Sequence, residues 1–408
     1  MIKKPELLAP AGNYDKLKIA VNYGADAVYM SGKKFGLRAA AQNFTLKEIE
    51  KAAEYVHEKN KKVYVAINVF ARNKDFKPLP DYLEFLSKAG VDAVIASDPG
   101  VILTIKETTP EMPVILSTQA NTTNYKSAWF WRRQGVKRII LARELSLKEI
   151  KSISDKIPKE MEKEVFIHGA MCISYSGRCL LSSYLTSRNS NLGDCTHPCR
   201  WQYNLMEEQR PGEYFPVIEN EKGTTILSSK DLCLIKYIPQ LIEAGVDSFK
   251  IEGRMKSEYY VGVTVSVYRE AIDRYCNKPS NYKFDPKLEE ELKKLNNRGY
   301  TEGFLISYPG QESQNYSGTS YKRTYDYCGK VISFDENSGK AAVMQKNKIE
   351  IGDYIEIIGP NGKCFSQKIT EMWDEEDNPI KSAPHARQIF KLKTKHNVEP
   401  LDLIRKKI

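Results

Sequence analysis

The segment Ser87-Lys-Ala-Gly90-Val-Asp-Ala-Val-Ile95 joins the end of a predicted helix to a short apolar strand through a glycine. Glycine commonly closes a helix in the left-handed conformation, and a run of apolar residues after it is typical of a buried parallel strand. The same pattern recurs at residues 21–29, 133–140 and 242–250. Each copy is interpreted as the helix-to-strand half of an α/β unit.

The pattern extends to eight predicted strands, most of them separated by helical segments. They are residues 6–9, 25–30, 62–68, 92–96, 113–116, 137–141, 164–168 and 248–252. Two helices are predicted to begin with capping boxes, at Thr45-Leu-Lys-Glu48 and Ser146-Leu-Lys-Glu149. Eight strands alternating with helices predict an α/β fold, a (β/α)₈ TIM-like barrel over residues 1–310. An open doubly wound sheet is the alternative, and the lack of a glycine-rich phosphate turn disfavours it.

Polar residues just past the predicted strands would line the mouth of this barrel, where the chemistry of the fold is located. His168 and Glu252 are candidate catalytic residues. The candidate substrate-binding residues are Arg38, Asn68, Gln119, Arg143, Lys250 and Arg254. Arginine is included because its guanidinium binds carboxylates through paired hydrogen bonds. Two alternatives stay open: His168 as a packing residue, and the cations as ion-pair partners of Glu144 or Glu252.

Five of the eight cysteines lie close together, in an insertion at about residues 169–228 and just after it. They are Cys172, Cys179, Cys195, Cys199 and Cys233. Gathered thiolates favour an iron–sulfur cluster, and zinc is the alternative, although zinc prefers more closely paired cysteines. A cluster needs four of them, and Cys199 and Cys233 compete for the fourth place. Cys233 is predicted to lie in the first turn of a helix, where the helix dipole favours a thiolate.

Beyond the barrel, the sequence predicts a linker at 311–324 and a small all-β barrel domain at 325–408, with short strands separated by turns. The net charge of +10 and the isoelectric point near 8.9 fit a polyanionic partner such as nucleic acid, or ordinary lysine-rich solubility. No apolar stretch reaches the ~18 residues that span a bilayer, and no signal peptide is recognised. A cytoplasmic protein with reduced thiols and no membrane partner is therefore expected.

Several long motifs resemble those of peptidase family U32, once called collagenase-like. The main one is Glu164-Val-Phe-Ile-His-Gly-Ala-Met-Cys172-Ile-Ser-Tyr-Ser-Gly177-Arg-Cys179-Leu-Leu-Ser182. Further similar blocks are found at 5–12, 195–201, 229–233 and 249–257. The resemblance covers residues 1–310 closely, and the β domain is similar to the C-terminal extension of the family.

The resemblance also implies a function. Members similar to this chain hydroxylate the wobble uridine of tRNA to 5-hydroxyuridine, with prephenate rather than dioxygen as co-substrate. Relatives carry a 4Fe–4S cluster on cysteines at matching positions. The expectation is an RNA hydroxylase that binds the tRNA anticodon region and a small dicarboxylate, the latter through Arg38 and Arg254. A U32-type peptidase and a non-catalytic iron–sulfur accessory protein are the alternatives.

Overall fold

The computed structural model describes residues 2–36, 43–171, 229–307 and 322–408, together with Thr186 and two short strands between residues 218 and 225. Seven strands come first: β1 (Glu6–Pro10), β2 (Ala27–Met30), β3 (Lys62–Ile67), β4 (Ala93–Ala96), β5 (Val114–Leu116), β6 (Arg138–Ile140) and β7 (Glu162–Ala170). Three short strands follow, β8 (Ile218–Asn220), β9 (Gly223–Thr225) and β10 (Asp231–Cys233), before β11 (Ser248–Ile251).

Strands β1 to β7 pair in sequence order and in parallel, and β11 pairs in parallel with both β7 and β1. The eight strands therefore form a closed barrel, as predicted. Their bounds agree with the sequence-based bounds to within two residues at each end. The glycines of the recurring pattern, Gly24, Gly90, Gly135 and Gly245, all have φ between 77° and 107°, a conformation that suits glycine.

The described helices are α1 (Tyr14–Asn22), α2 (Leu46–Glu58), α3 (Leu79–Lys88), α4 (Pro99–Thr108), α5 (Tyr125–Arg133), α6 (Leu147–Lys156), α7 (Ile238–Glu243), α8 (Glu258–Asn277) and α9 (Pro286–Lys293). Both predicted capping boxes are present, at the starts of α2 and α6. At α2, the backbone N–H of Thr45 donates to Glu48 Oε2 at 2.8 Å, and Thr45 Oγ1 accepts from the N–H of Glu48 at 3.3 Å. Each box satisfies two backbone donors that the helix itself leaves free.

An ionic network fills the barrel interior near the amino ends of the strands. Glu164 of β7 is buried and accepts hydrogen bonds from Lys250 Nζ at 2.9 Å and from Arg138 Nη1 at 3.1 Å. Arg138 also contacts Glu6 of β1, and its guanidinium lies over the ring of Tyr64 at 5.4 Å. Buried charges are tolerated only when they are paired, so this network fixes the relative positions of β1, β6, β7 and β11.

A second sheet follows the barrel in the sequence, after the short strand β12 (Tyr300–Thr301). Its region contains β13 (Tyr325–Asp335), β14 (Lys340–Gln345), β15 (Ile349–Glu350), β16 (Tyr354–Ile358), β17 (Cys364–Lys368), β18 (Met372–Trp373), β19 (Ser382–Ala383), β20 (Ile389–Lys393) and β21 (Leu403–Lys407). Seven of them form one antiparallel sheet in the order β17-β16-β21-β13-β14-β20-β18, which curves into a half-barrel. The two end strands of this order, β17 and β18, are not paired with each other, so the predicted small barrel is open.

The half-barrel packs on the barrel through apolar contacts of Ile358 and Leu403 and through polar contacts. Arg405 of β21 is buried and bonds to Glu291 of α9 and Tyr259 of α8, as well as to Glu356 of β16. Tyr23 adds a second connection, because its hydroxyl is 3.0 Å from the carbonyl oxygen of Ile358. No helix in the described part of the chain is both long enough and apolar enough to cross a lipid bilayer.

Candidate functional site

The carboxyl ends of β3 and β5 bring two predicted site residues together. Asn68 Nδ2 donates to Gln119 Oε1 at 2.9 Å, and Ser117 Oγ donates to the same oxygen at 3.2 Å. Gln119 is buried, whereas Asn68 is half-buried. Because Oε1 of Gln119 is held by two donors, its amide is fixed in one orientation at the mouth.

The end of β11 positions the other main group of the mouth. Arg254 is buried, and its Nη2 donates to Asn43 Oδ1 at 2.6 Å. The carboxylate of Glu252 lies 3.3 Å from the hydroxyl of Tyr29, which also donates to the carbonyl oxygen of Ile251 at 3.0 Å. These contacts join the end of β11 to the end of β2 and to Asn43. Arg38 lies outside the described residues.

Glycine is required where the end of β7 meets the segment after β11. Gly169 has φ of 114°, and a Cβ there would lie 2.4 Å from the carbonyl oxygen of Glu252. Gly12 meets the same segment from the end of β1, since a Cβ would lie 2.1 Å from the carbonyl oxygen of Arg254. Gly169 and Gly12 therefore allow β7 and β1 to approach closely the backbone of Glu252 and Arg254.

Substituting Gly169 with alanine should therefore destabilise the barrel by about 2–4 kcal/mol, since the strained φ and the backbone clash add together. Gly352→Ala is the matched control, because its φ of 98° is similar and nothing lies within 4 Å of the added Cβ. Urea unfolding of both variants separates the two effects. Equal losses of stability would show that contact with Glu252 does not constrain Gly169.

Lys250 lies below the mouth rather than in it. Its ammonium is buried, donates to Glu164 and lies 4.3 Å from the ring centroid of Tyr29. Burial lowers the pKa of Lys250, and the carboxylate of Glu164 opposes this effect. The sequence left open an ion pair with Glu144 or Glu252, and the observed partner is Glu164 instead. This pairing favours a structural role for Lys250.

Arg143 also has intramolecular partners. Its Nη1 donates to the carbonyl oxygen of Ala170 at 2.8 Å, and its guanidinium stacks over Phe166 at 3.8 Å from the ring centroid. Both partners belong to β7, so Arg143 supports the strand that leads into the cysteine-bearing insertion. The side chain is half-buried, which leaves part of it accessible.

His168 is enclosed by tyrosine rings. The ring centroids of Tyr260, Tyr268 and Tyr300 lie 5.3 to 5.7 Å from that of His168, and the Tyr268 hydroxyl is 3.3 Å from Nδ1. Burial, with a smaller contribution from Lys256, lowers the pKa of His168 to about 3, so the ring is neutral near pH 7. Two of the three rings belong to α8, so the imidazole is directed toward this helix. The arrangement favours the packing alternative for His168.

Cys233 is the one candidate metal ligand within the described residues; Cys172, Cys179, Cys195 and Cys199 lie outside them. The prediction that Cys233 lies in the first turn of a helix is wrong, because it ends strand β10. This strand runs antiparallel to β7 and makes Cys233 the register partner of His168. The segment forms a strand because of a tertiary contact. Strand β7 extends to Ala170, and its last residues pair with Asp231–Cys233, which in the sequence resembled the start of a helix.

Cys233 pairs with the strand that precedes the first candidate cysteine in the sequence. Cys172 follows His168, the register partner of Cys233, by four residues. Burial raises the pKa of the Cys233 thiol to about 11, and metal coordination deprotonates such a thiol outright. Among the described residues, no three His, Cys, Asp or Glu side chains form a metal site by themselves. The ligand set therefore stays a prediction.

Several residues of the site were not identified from the sequence. Tyr29, Asn43, Tyr268 and Tyr300 all contact candidate residues. Tyr29 is the next-to-last residue of the predicted strand 25–30, so a rule that also considered the last residues of each strand could have included it. Nothing in the local sequence pairs Tyr268 with His168, because they are 100 residues apart.

Comparison with known proteins identifies the family. Residues 12–315 match the family described as peptidase family U32, and residues 323–405 match its C-terminal domain. The chain is 44% identical to tRNA hydroxylation protein P1 of Bacillus subtilis over 99% of its own length and 95% of that protein. It is 40% identical to tRNA hydroxylation protein P of Escherichia coli, over 92% and 91% of the two chains. A protein named collagenase from Porphyromonas gingivalis is 32% identical, over 97% and 96%. The chain thus belongs to peptidase family U32.

Proposed function

We propose that this protein takes part in the hydroxylation of tRNA. The observation that carries the proposal is the near full-length similarity to relatives named tRNA hydroxylation protein, which extends through both the barrel and the half-barrel. The net charge of +10 is consistent with a polyanionic substrate. A cytoplasmic location would follow from this substrate.

The finer reaction that we propose is conversion of the wobble uridine to 5-hydroxyuridine, without dioxygen and with prephenate as the co-substrate. The target base would enter the barrel mouth unstacked, which bases of single-stranded RNA loops can do. Arg254 and Arg38 would bind the carboxylates of the co-substrate. Asn68 and Gln119, whose amides are hydrogen-bonded to each other, would contact the base edge or the co-substrate.

An iron–sulfur cluster, with zinc as the alternative, would be held by Cys172, Cys179 and Cys195 together with Cys199 or Cys233. Four cysteine thiolates are the usual ligands of a 4Fe–4S cluster, which supplies electron-transfer or Lewis-acid chemistry when bound. The part of the chain described in the structure would contribute the buried wall around Cys233, which limits the access of water to this side of the site.

The test is mass spectrometry of tRNA nucleosides from a strain that lacks the gene. We expect 5-hydroxyuridine to be lost, to return with the wild-type gene, and to stay absent with Cys172→Ser, because Cys172 is one of the three cysteines that the proposed ligand set always includes. The Cys364→Ser gene is the matched control, since Cys364 is an exposed cysteine of the half-barrel and should restore the modification. Unchanged 5-hydroxyuridine in the deletion strain would refute the proposal.

A peptidase is the second candidate, and the similarity to a protein named collagenase favours it. Its discriminating measurement uses purified protein that carries its metal complement. Cleavage of gelatin or casein by wild-type protein, with no change in tRNA nucleosides on deletion, would favour the peptidase. Protein that contains iron and sulfide and leaves these substrates intact would favour the hydroxylase.

A further inference from the structure

Helix α5 presents aromatic rings and cations to solvent along one stripe. Lys126, Trp129, Phe130 and Arg133 follow the i, i+3, i+4, i+7 spacing that places residues on one face of a helix. All four are exposed, and the exposed fractions are 37% for Trp129 and 54% for Phe130. Such spacing of aromatic residues normally marks the face that packs on the core. In α5 the one buried residue, Ala128, lies outside the stripe.

The charged residues of α5 are all of one sign. Helix α5 contains no acidic residue, and Lys126 and Arg133 form no ion pair with any described residue. Lys156, at the end of α6, adds a third cation without such a pair, and its carbonyl oxygen accepts a hydrogen bond from Trp129 Nε1 at 3.0 Å. We call these five residues, Lys126, Trp129, Phe130, Arg133 and Lys156, the α5 patch.

The chemistry of the α5 patch identifies the class of partner. Exposed aromatic rings beside unpaired cations are the combination with which proteins bind single-stranded nucleic acid, through stacking and phosphate contacts. A symmetric contact with a second copy of the chain is disfavoured, because a two-fold interface must be self-complementary and this patch would bring like charges together. Charge complementarity therefore favours a polyanion with flat exposed groups.

The position of the α5 patch relative to the mouth is consistent with binding to the same RNA. Helix α5 begins at Tyr125, six residues after Gln119, so the amino end of the stripe lies nearest the mouth. At a rise of 1.5 Å per residue, Lys126 and Arg133 are about 10 Å apart along the helix axis. An RNA whose reactive base occupies the mouth could continue along this wall of the barrel.

We infer that the α5 patch is a docking surface for tRNA, with Trp129 and Phe130 against bases or riboses and the cations against phosphates. This inference rests on the proposed function, because it assigns the patch to the same RNA. It goes beyond that function by naming a binding surface on the outer wall of the barrel, away from the candidate site residues.

The test compares two full-length variants in their binding of purified tRNA. Lys126→Gln/Phe130→Ser/Arg133→Gln removes two cations and one ring but keeps Trp129 and its hydrogen bond. Lys59→Gln/Lys62→Gln is the charge-matched control, with two exposed lysines that form no ion pair in the described structure. Thermal unfolding followed by circular dichroism verifies that both variants fold. Affinity is measured at several salt concentrations.

We expect the α5 variant to bind tRNA about tenfold or more weakly and to reduce the slope of log affinity against log salt by about two, whereas the control keeps the wild-type slope. A folded α5 variant with wild-type affinity and slope would overturn the inference. So would a changed oligomeric state with unchanged tRNA affinity, which would assign the patch to self-association. Failure of the proposed function is recognised in the wild-type protein, which would then not bind tRNA. Failure of the inference alone leaves tRNA binding by the wild-type protein intact.

Discussion

Glu164→Ala should lower the free energy of unfolding by about 3–5 kcal/mol, because it leaves the buried Lys250 without its carboxylate and removes one of the three carboxylates that pair with Arg138. The side chain of Glu164 is 0% exposed and accepts hydrogen bonds from Lys250, Arg138 and Ser248. Burial alone would raise the pKa of Glu164, but Lys250 and Arg138 outweigh it, so the pKa lies below its usual value and the group is ionised at neutral pH. Lys250 has no second carboxylate at hydrogen-bonding distance in the described structure.

Glu162→Ala is the matched control for this prediction. Glu162 belongs to the same strand and contacts the same Arg138, at 2.7 Å, but its side chain is 40% exposed. A solvent-exposed ion pair contributes only about 0–1 kcal/mol, so the control should remain close to wild type. Urea unfolding followed by circular dichroism gives both values. Similar losses of unfolding free energy in Glu164→Ala and Glu162→Ala would show that burial does not determine how strongly the Arg138 contacts stabilise the fold.

Most of the barrel could be predicted because its signals are local. Each recurring segment contains both the residue that ends a helix and the residues that begin the next strand. The glycines with left-handed conformation, such as Gly90, occur where the pattern predicts the end of the helix. The capping box at Thr45 depends on residues only three positions apart. Eight buried runs separated by helices then leave few ways to complete a parallel sheet, so closure into a barrel follows from the number of strands.

The site could be predicted only in part because its contacts depend on strand register. The register between β7 and β11 shifts between Lys250 and Ile251. A strict alternation of side chains would place His168 on the same face as Glu164, whereas its ring contacts tyrosines of α8. The pairing of β10 with β7, which overrides the apparent helix start before Cys233, also joins segments that are distant in sequence.

A second large effect is expected where the half-barrel meets the barrel. Arg405→Met should cost about 3–5 kcal/mol and weaken the coupling between the two units, because it removes the fully buried cation that Glu291 and Glu356 share and leaves them only the partly exposed Lys294. The guanidinium is 0% exposed, and its Nη2 is 2.6 Å from Glu356 Oε2. Its Nη1 bonds to Glu291 and is 3.1 Å from the hydroxyl of Tyr259, so one side chain joins β16 to α9 and α8. Burial raises the pKa of Glu291, but the hydrogen bonds and charges of Arg405 and Lys294 together outweigh this effect, and the net pKa is lowered.

Lys406→Met provides the control for Arg405→Met at the neighbouring position. Lys406 pairs with Asp353 at 2.8 Å within the half-barrel, and it is partly exposed, so its loss should cost about 1 kcal/mol or less. Calorimetry should show one main transition for wild type and for Lys406→Met, and two separated transitions for Arg405→Met. Adding Glu291→Leu, Lys294→Met and Glu356→Leu to Arg405→Met should recover part of the lost stability, since apolar residues can replace a complete buried ion group. If Arg405→Met alone unfolds like Lys406→Met, the contact between barrel and half-barrel depends on apolar packing and not on this arginine.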